Sequence, residues 1–116
     1  MIMKGNTMAS EDSNKLEELA NDADWQIRAN VARRSDLPAH LVEKLANDER
    51  SGVRAEVAYH PELPPHLIEQ LANDEDAYVR AAVAQRYWLP DHLLDQFIED
   101  EHRYVRVAVR FNPDMI

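Results

Sequence analysis

At 116 residues, with 45% hydrophobic and 30% charged side chains, the chain has the composition of one soluble globular domain rather than of a disordered protein or a two-domain enzyme. Its 13 basic and 22 acidic residues give a net charge of −9, which repels nucleic acid phosphates and anionic lipids. The chain has no cysteine, two glycines, and no apolar run longer than the four residues of 81–84, so we expect no cofactor, no metal site, no membrane or nucleic acid partner, and a cytoplasmic location.

A repeat of 26 residues runs through the chain. The tetrapeptide Leu-Ala-Asn-Asp begins at Leu19, Leu45 and Leu71, and a weaker copy begins at Phe97. The pair Val-Arg, and the pair Leu-Pro with a histidine shortly after it, also recur at intervals of 26 residues. We therefore predict a flexible N-terminus over residues 1–12 and four repeats, at about 13–38, 39–64, 65–90 and 91–116, in a single domain spanning residues 1–116.

Each repeat is predicted to contain two helices, named helix A and helix B in chain order. In the first repeat Lys15 stands where later copies have leucine, and the polar residues 10–14 precede it, which indicates an N-terminal cap. In later copies helix A has apolar residues at i, i+1, i+4 and i+5, which form one helical face. A proline in the first turn is predicted to start helix A, an aspartate to cap the N-terminus of helix B, and the next proline-containing joint to end helix B.

Such a pair of helices cannot bury its apolar stripe alone, so neighbouring pairs must stack into a shared core. The sequence therefore predicts an all-α solenoid of four two-helix repeats. The last repeat, which ends in Met115 and Ile116, is predicted to leave apolar surface open.

The repeated pattern Leu-Ala-x-Asp-x4-Val-Arg-Ala-x-Val-Ala, followed by x-Leu-Pro, resembles the leucine-rich repeat variant family and is similar to HEAT-type repeats. The resemblance covers about residues 14–114. It implies a right-handed superhelix that acts as an interaction surface, with a second segment in each repeat that can be short or 3₁₀ in character. The cysteine-ligated cluster of a founding type of that family cannot be present in a chain without cysteine.

One aspartate and one arginine recur in every repeat, and two interpretations of them are open. They could form a ligand-binding ladder, but we favour a structural role in which they link adjacent repeats and set their register. This predicted structural ladder comprises Asp22, Arg28, Asp48, Arg54, Asp74, Arg80, Asp100 and Arg106.

Histidines also recur, at His40, His66 and His92. Stacked helices lie about 8–10 Å apart, which is too far for such a column to share one zinc ion. We therefore expect these side chains to pack over the joints, and we find no motif for nucleophilic catalysis.

Aromatic residues concentrate in helix B, whose segments also hold all ten arginines, balanced by ten acidic residues. Tyrosine, tryptophan and arginine dominate binding hot spots, although large side chains could instead fill gaps between alanine-rich helices. The candidate partner-binding residues are Trp25, Arg33, Tyr59, Tyr78, Tyr104 and Phe111.

These observations favour a non-catalytic scaffold that binds a protein or peptide along helix B. One alternative is a homo-oligomer that assembles through the open C-terminal repeat. Another is an enzyme like the HEAT-like proteins that act on DNA bases or attach bilin chromophores, which the absence of a basic stripe disfavours.

Overall fold

The computed structural model describes residues 14–115, and within that range every regular element is helical. The predicted flexible N-terminus, residues 1–12, and Ile116 lie outside the described residues. In chain order the helices are α1 (14–20), α2 (Trp25–Ala32), α3 (Ala39–Ala46), α4 (Ser51–Ala58), α5 (Pro65–Ala72), α6 (Ala77–Ala84), α7 (Asp91–Ile98) and α8 (Arg103–Arg110). A short 3₁₀ turn, Pro113–Met115, follows α8. None of these helices is long and apolar enough to cross a membrane.

Helix A of each later repeat, namely α3, α5 and α7, starts directly after a proline. Pro38, Pro64 and Pro90 occupy the N-cap position in an extended conformation, one residue before the predicted first turn. In α5 a second proline, Pro65, occupies the first helical turn, where its missing N–H would have had no partner.

Helix B of each repeat, namely α2, α4, α6 and α8, is a two-turn α-helix of eight residues and begins later than predicted. Its N-cap residues are Asp24, Arg50, Asp76 and His102. The prediction that Asp22, Asp48, Asp74 and Asp100 cap helix B is therefore wrong. Each of these carboxylates instead accepts a hydrogen bond from the N–H two residues later, as Asp48 Oδ1 does from Arg50 at 2.9 Å. This hydrogen bond closes a turn before the helix, so the carboxylate does not cap the first N–H groups of helix B.

The helices stack as a solenoid, which confirms the predicted fold class. Each helix B packs against the helix B of the next repeat, and helix A packs against helix B within its own repeat. The core between them is formed by side chains less than 2% exposed, which from helix A are Leu41, Leu45, Leu67, Leu71, Leu93 and Phe97, and from helix B are Val53, Val57, Val79, Val83, Val105 and Val109. Burial of this continuous apolar stripe is what holds the short helices in place.

Candidate functional site

Four aromatic side chains among the predicted partner-binding residues are exposed along helix B or at the residue that follows it. They are Tyr59, Tyr78, Tyr104 and Phe111, and we call them the aromatic surface. Tyr78 and Tyr104 come from successive repeats, and their ring centroids lie 4.9 Å apart with a tilt of 58°. Partial burial, reinforced by the nearby Tyr104 and Glu56, raises the pKa of Tyr59 above its ordinary value.

Two hollows lie along the aromatic surface. The first hollow has a volume of about 570 Å³ and is lined by Tyr59, Pro61, Ile68, Ala82, Gln85, Arg86, Tyr87 and Trp88. The second hollow has a volume of about 290 Å³ and is lined by Gln85, Tyr104, Val107, Ala108 and Phe111. Because Gln85 lines both, the two hollows adjoin. Neither is lined by a carboxylate, although the chain carries 22 acidic residues.

Arg86 brings the positive charge to the first hollow. Its Nη1 donates to the carbonyl oxygens of Ala58 and His60 at 2.8 and 2.7 Å, while its Nε is buried without a hydrogen-bond partner. Within residues 14–115 no carboxylate forms an ion pair with Arg86. Burial lowers the pKa of the guanidinium below its ordinary value, since a low-dielectric setting disfavours the charged form.

Asn112 occupies the equivalent position one repeat later and makes the equivalent hydrogen bonds. Its Nδ2 donates to the carbonyl oxygens of Ala84 and Arg86, both at 2.7 Å. Asn112 is fully buried. A neutral amide is therefore sufficient to hold the joint between repeats, and the positive charge of Arg86 is not required for that purpose.

Trp88 forms an exposed wall of the first hollow in an unusual backbone conformation. Its side chain is 86% exposed, and its φ of 61° is the one positive φ at a non-glycine residue in the described part of the chain. Its N–H donates to Asp114 Oδ2 at 2.9 Å. The left-handed region costs a residue with a Cβ about 1–2 kcal/mol, so this tryptophan is held where glycine would be easier to accommodate.

The remaining two partner-binding candidates make contacts within the chain and line neither hollow. The ring of Trp25 packs on Gly52, and the guanidinium carbon of Arg50 lies 4.9 Å from the ring centroid. Arg33 donates to Glu56 at 3.1 Å and to Asn30 at 2.7 Å.

The aspartate and arginine columns connect successive repeats in pairs. Nε and Nη2 of Arg28, Arg54 and Arg80 donate to both carboxylate oxygens of Asp48, Asp74 and Asp100 respectively, over 2.7–3.0 Å. Nη1 of each arginine donates to the carbonyl of the aspartate six residues before it. At the two ends, Asp22 receives no guanidinium and Arg106 meets no carboxylate among the described residues, although Arg106 keeps its bond to the Asp100 carbonyl.

The histidine column lies on helix A and does not pack over the joints as we expected. Nε2 of His40, His66 and His92 lies 2.8, 2.8 and 2.6 Å from a carboxylate oxygen of Glu17, Glu43 and Glu69 respectively. The histidine follows its glutamate by 23 residues, so these exposed pairs also link neighbouring repeats. Within the described range no cluster of histidine and carboxylate side chains could hold a metal ion.

The residues predicted from the sequence do not include Arg86, Tyr87 and Trp88, which line the first hollow. The available signal was a departure from the repeat: the positions equivalent to Trp88 hold Asp36, Glu62 and Asp114. Residues that break an otherwise regular joint with exposed aromatic side chains mark the place where this surface differs from the rest of the solenoid.

Comparison with protein families gives one match. Residues 25–50 and 52–76 match the leucine rich repeat variant family. No curated protein and no solved structure matches the chain significantly.

Proposed function

We propose that this chain, a solenoid of helical repeats in which residues 25–50 and 52–76 match the leucine rich repeat variant family, is a non-catalytic module that binds a segment of another protein along its aromatic surface. The segment lies across both hollows and contacts Tyr59, Tyr78, Tyr104 and Phe111.

The observation that carries this proposal is the line of exposed aromatic side chains beside two adjoining hollows. Tyr78 and Phe111 are 64% and 74% exposed, so folding alone leaves much of their apolar area in water. Aromatic residues around a concave, apolar-lined surface are the usual anchors of protein recognition. The net charge of −9 opposes a polyanionic ligand such as nucleic acid.

The test compares two triple variants with the wild-type chain in affinity capture. Tyr59→Ala, Tyr78→Ala and Tyr104→Ala together remove most of the aromatic surface, whereas His40→Ala, His66→Ala and His92→Ala remove three exposed side chains from helix A. Circular dichroism first establishes that all three proteins are equally helical.

A partner retained by the wild type and the histidine variant but lost by the tyrosine variant supports the proposal. Equal retention by all three proteins would show that the aromatic surface is not the binding site.

A second candidate function is self-assembly through the last repeat. Ile98, Val107 and Met115 expose apolar side chains there, and among residues 14–115 Arg106 meets no carboxylate. Sedimentation velocity over a hundredfold range of protein concentration tests this candidate: assembly predicts a rising sedimentation coefficient, and a constant monomer value would exclude it.

A further inference from the structure

We propose that the first hollow selects an acidic peptide, in which an aspartate or glutamate side chain pairs with Arg86 and a neighbouring apolar side chain lies among Tyr59, Tyr87 and Trp88. This inference rests on the proposed function of the aromatic surface and names the chemistry of the segment that binds there.

The charge on Arg86 is the first argument, because nothing in the described structure uses it. In the ladder Arg28, Arg54 and Arg80 each meet a carboxylate, whereas the described structure gives Arg86 only two carbonyl oxygens. Asn112 holds the same pair of carbonyls in the next repeat without a charge. A partly buried guanidinium without a counter-ion is costly, and a carboxylate supplied by a partner would offset that cost.

The lining of the hollows is the second argument. Around Arg86 the first hollow is lined by aromatic and aliphatic side chains and the amide of Gln85, with no acidic side chain, in a chain whose net charge is −9. The Asp114 carboxylate, which accepts from the Trp88 N–H, is not part of this lining. The local charge is therefore complementary to a single carboxylate, while the charge of the whole chain repels a polyanion. A guanidinium beside aromatic rings suits a carboxylate and an adjacent apolar side chain of one peptide.

The position of the hollows indicates that the peptide extends beyond the residue that pairs with Arg86. Gln85 lies between the first hollow and the second, so a peptide that places its acid at Arg86 continues past Gln85 towards Tyr104 and Phe111. A second apolar side chain of the peptide then occupies the second hollow.

The backbone of Trp88 is the third argument. An 86% exposed tryptophan gains little from folding, yet it is held at a φ of 61°. Strained backbone of this kind is characteristic of ligand-binding sites, and here it positions the indole beside Arg86 as a wall of the hollow.

Selection from a phage-displayed library of random twelve-residue peptides tests the inference with the full chain. We expect the selected peptides to share an aspartate or glutamate next to an aromatic or aliphatic residue. One selected peptide, labelled with fluorescein, is then compared by fluorescence anisotropy with its amide counterpart, in which glutamine or asparagine replaces the acid. Loss of the carboxylate is expected to raise Kd about tenfold or more, since a charge-assisted hydrogen bond is lost.

Variants locate the effect at Arg86. Arg86→Asn introduces the neutral side chain that holds the equivalent pair of carbonyls at Asn112. This variant is expected to bind the acidic and amide peptides equally well. Arg103→Asn, which removes an exposed arginine one repeat away, changes the net charge by the same amount and is expected to keep the preference for the acid. The acid-to-amide comparison on the wild-type chain gives its answer even if Arg86→Asn fails to fold.

The outcomes separate this inference from the proposed function. Selected peptides that lack acidic residues, yet lose binding to the Tyr59, Tyr78 and Tyr104 alanine variant, would overturn the acidic preference and leave the proposed function standing. Failure to select any peptide that depends on the aromatic surface would count against both.

Discussion

Nε and Nη2 of Arg54 donate to the two carboxylate oxygens of Asp74, at 2.8 and 3.0 Å, across the boundary between the second and third repeats. Both side chains are mostly buried, with exposed fractions of 12% for Arg54 and 9% for Asp74. Because the guanidinium also binds the carbonyl of Asp48, it ties the start of one helix B to the start of the next. The same arrangement joins Arg28 to Asp48 and Arg80 to Asp100, so the pairs keep the stacked repeats in register.

Removal of the carboxylate by Asp74→Ala is expected to lower the free energy of unfolding by about 3 kcal/mol. The reason is that Arg54 would remain charged and mostly buried without its partner, and the N–H of Asp76 would lose the oxygen that it now meets at 2.9 Å. Urea denaturation followed by circular dichroism measures the change.

Arg106→Ala is the control, because Arg106 occupies the repeat position of Arg54 but, among the described residues, bonds only to the Asp100 carbonyl, at 2.7 Å. Arg106→Ala is expected to lower the free energy of unfolding by about 1 kcal/mol. Equal losses in the two variants would show that the bidentate pair contributes no more than that single bond.

The aspartates of the ladder also predict a loss of stability in acid. Burial alone would raise the pKa of Asp48, but hydrogen bonds from the Arg28 guanidinium and the Arg50 N–H outweigh it and hold that pKa below its ordinary value. The pKa of Asp100 is lowered in the same way by Arg80 and the His102 N–H, which overcome the effect of burial. A lowered native pKa means that the unfolded chain binds more protons, so the stabilisation is complete above the ordinary aspartate pKa of about 3.9 and disappears as the pH falls below it.

Urea midpoints measured between pH 7 and pH 2.5 test this expectation. The difference in stability between the wild type and Asp100→Asn is expected to be constant at neutral pH and to shrink below about pH 4. A difference that does not depend on pH would contradict the assignment of a lowered pKa to Asp100.

Periodicity was enough to predict the fold, because the same few columns repeat every 26 residues. Leu41, Leu45, Val53 and Val57 are predicted core positions, and each is at most 1% exposed. The start of helix B was predicted wrongly because Asp48 accepts a hydrogen bond from the Arg50 N–H that resembles capping, although Asp48 lies three residues before the helix begins at Ser51. A sequence pattern cannot distinguish the two, because both use an aspartate oxygen and an N–H close ahead in the chain.

The candidate site was only partly predictable for a related reason. The aromatic surface follows from two repeat positions, one that supplies Tyr78 and Tyr104 and one that supplies Tyr59 and Phe111. The first hollow also depends on Arg86 and Trp88, which depart from the repeat. Whether an arginine at position 86 bonds to a carboxylate or to the carbonyls of Ala58 and His60 depends on how the joint folds, and no periodic pattern encodes it.

Gly52→Ala tests the packing of Trp25. Alanine is favoured over glycine within a helix by about 1 kcal/mol, but a Cβ at position 52 would lie 2.8 Å from Cζ3 of Trp25 and force the ring to move. We expect Gly52→Ala to destabilise the wild-type chain by about 1 kcal/mol through overpacking. In a Trp25→Ala background the same change is expected to stabilise the chain by about 1 kcal/mol, since the obstacle is gone. The same sign in both backgrounds would exclude a clash with Trp25.

Asn112→Ala tests the hydrogen bonds by which Asn112 joins the last two repeats. It leaves the carbonyl oxygens of Ala84 and Arg86 without the buried amide that now meets both at 2.7 Å. A loss of about 2–3 kcal/mol is expected in urea denaturation. A loss of less than about 1 kcal/mol would contradict this role for Asn112.

Trp88→Gly is expected to separate stability from binding. Glycine adopts a φ of 61° without steric cost, so the substitution should raise the free energy of unfolding by about 0.5 kcal/mol, after its greater entropy in the unfolded chain is counted. The same substitution removes a wall of the first hollow and should weaken a selected peptide about tenfold. Tyr87→Gly is the matched control, because Tyr87 lines the same hollow at a negative φ, and there glycine should lower both affinity and stability. A fall in stability for both variants would show that the backbone at Trp88 is unstrained. The positive φ of Trp88 would then no longer support a role in binding.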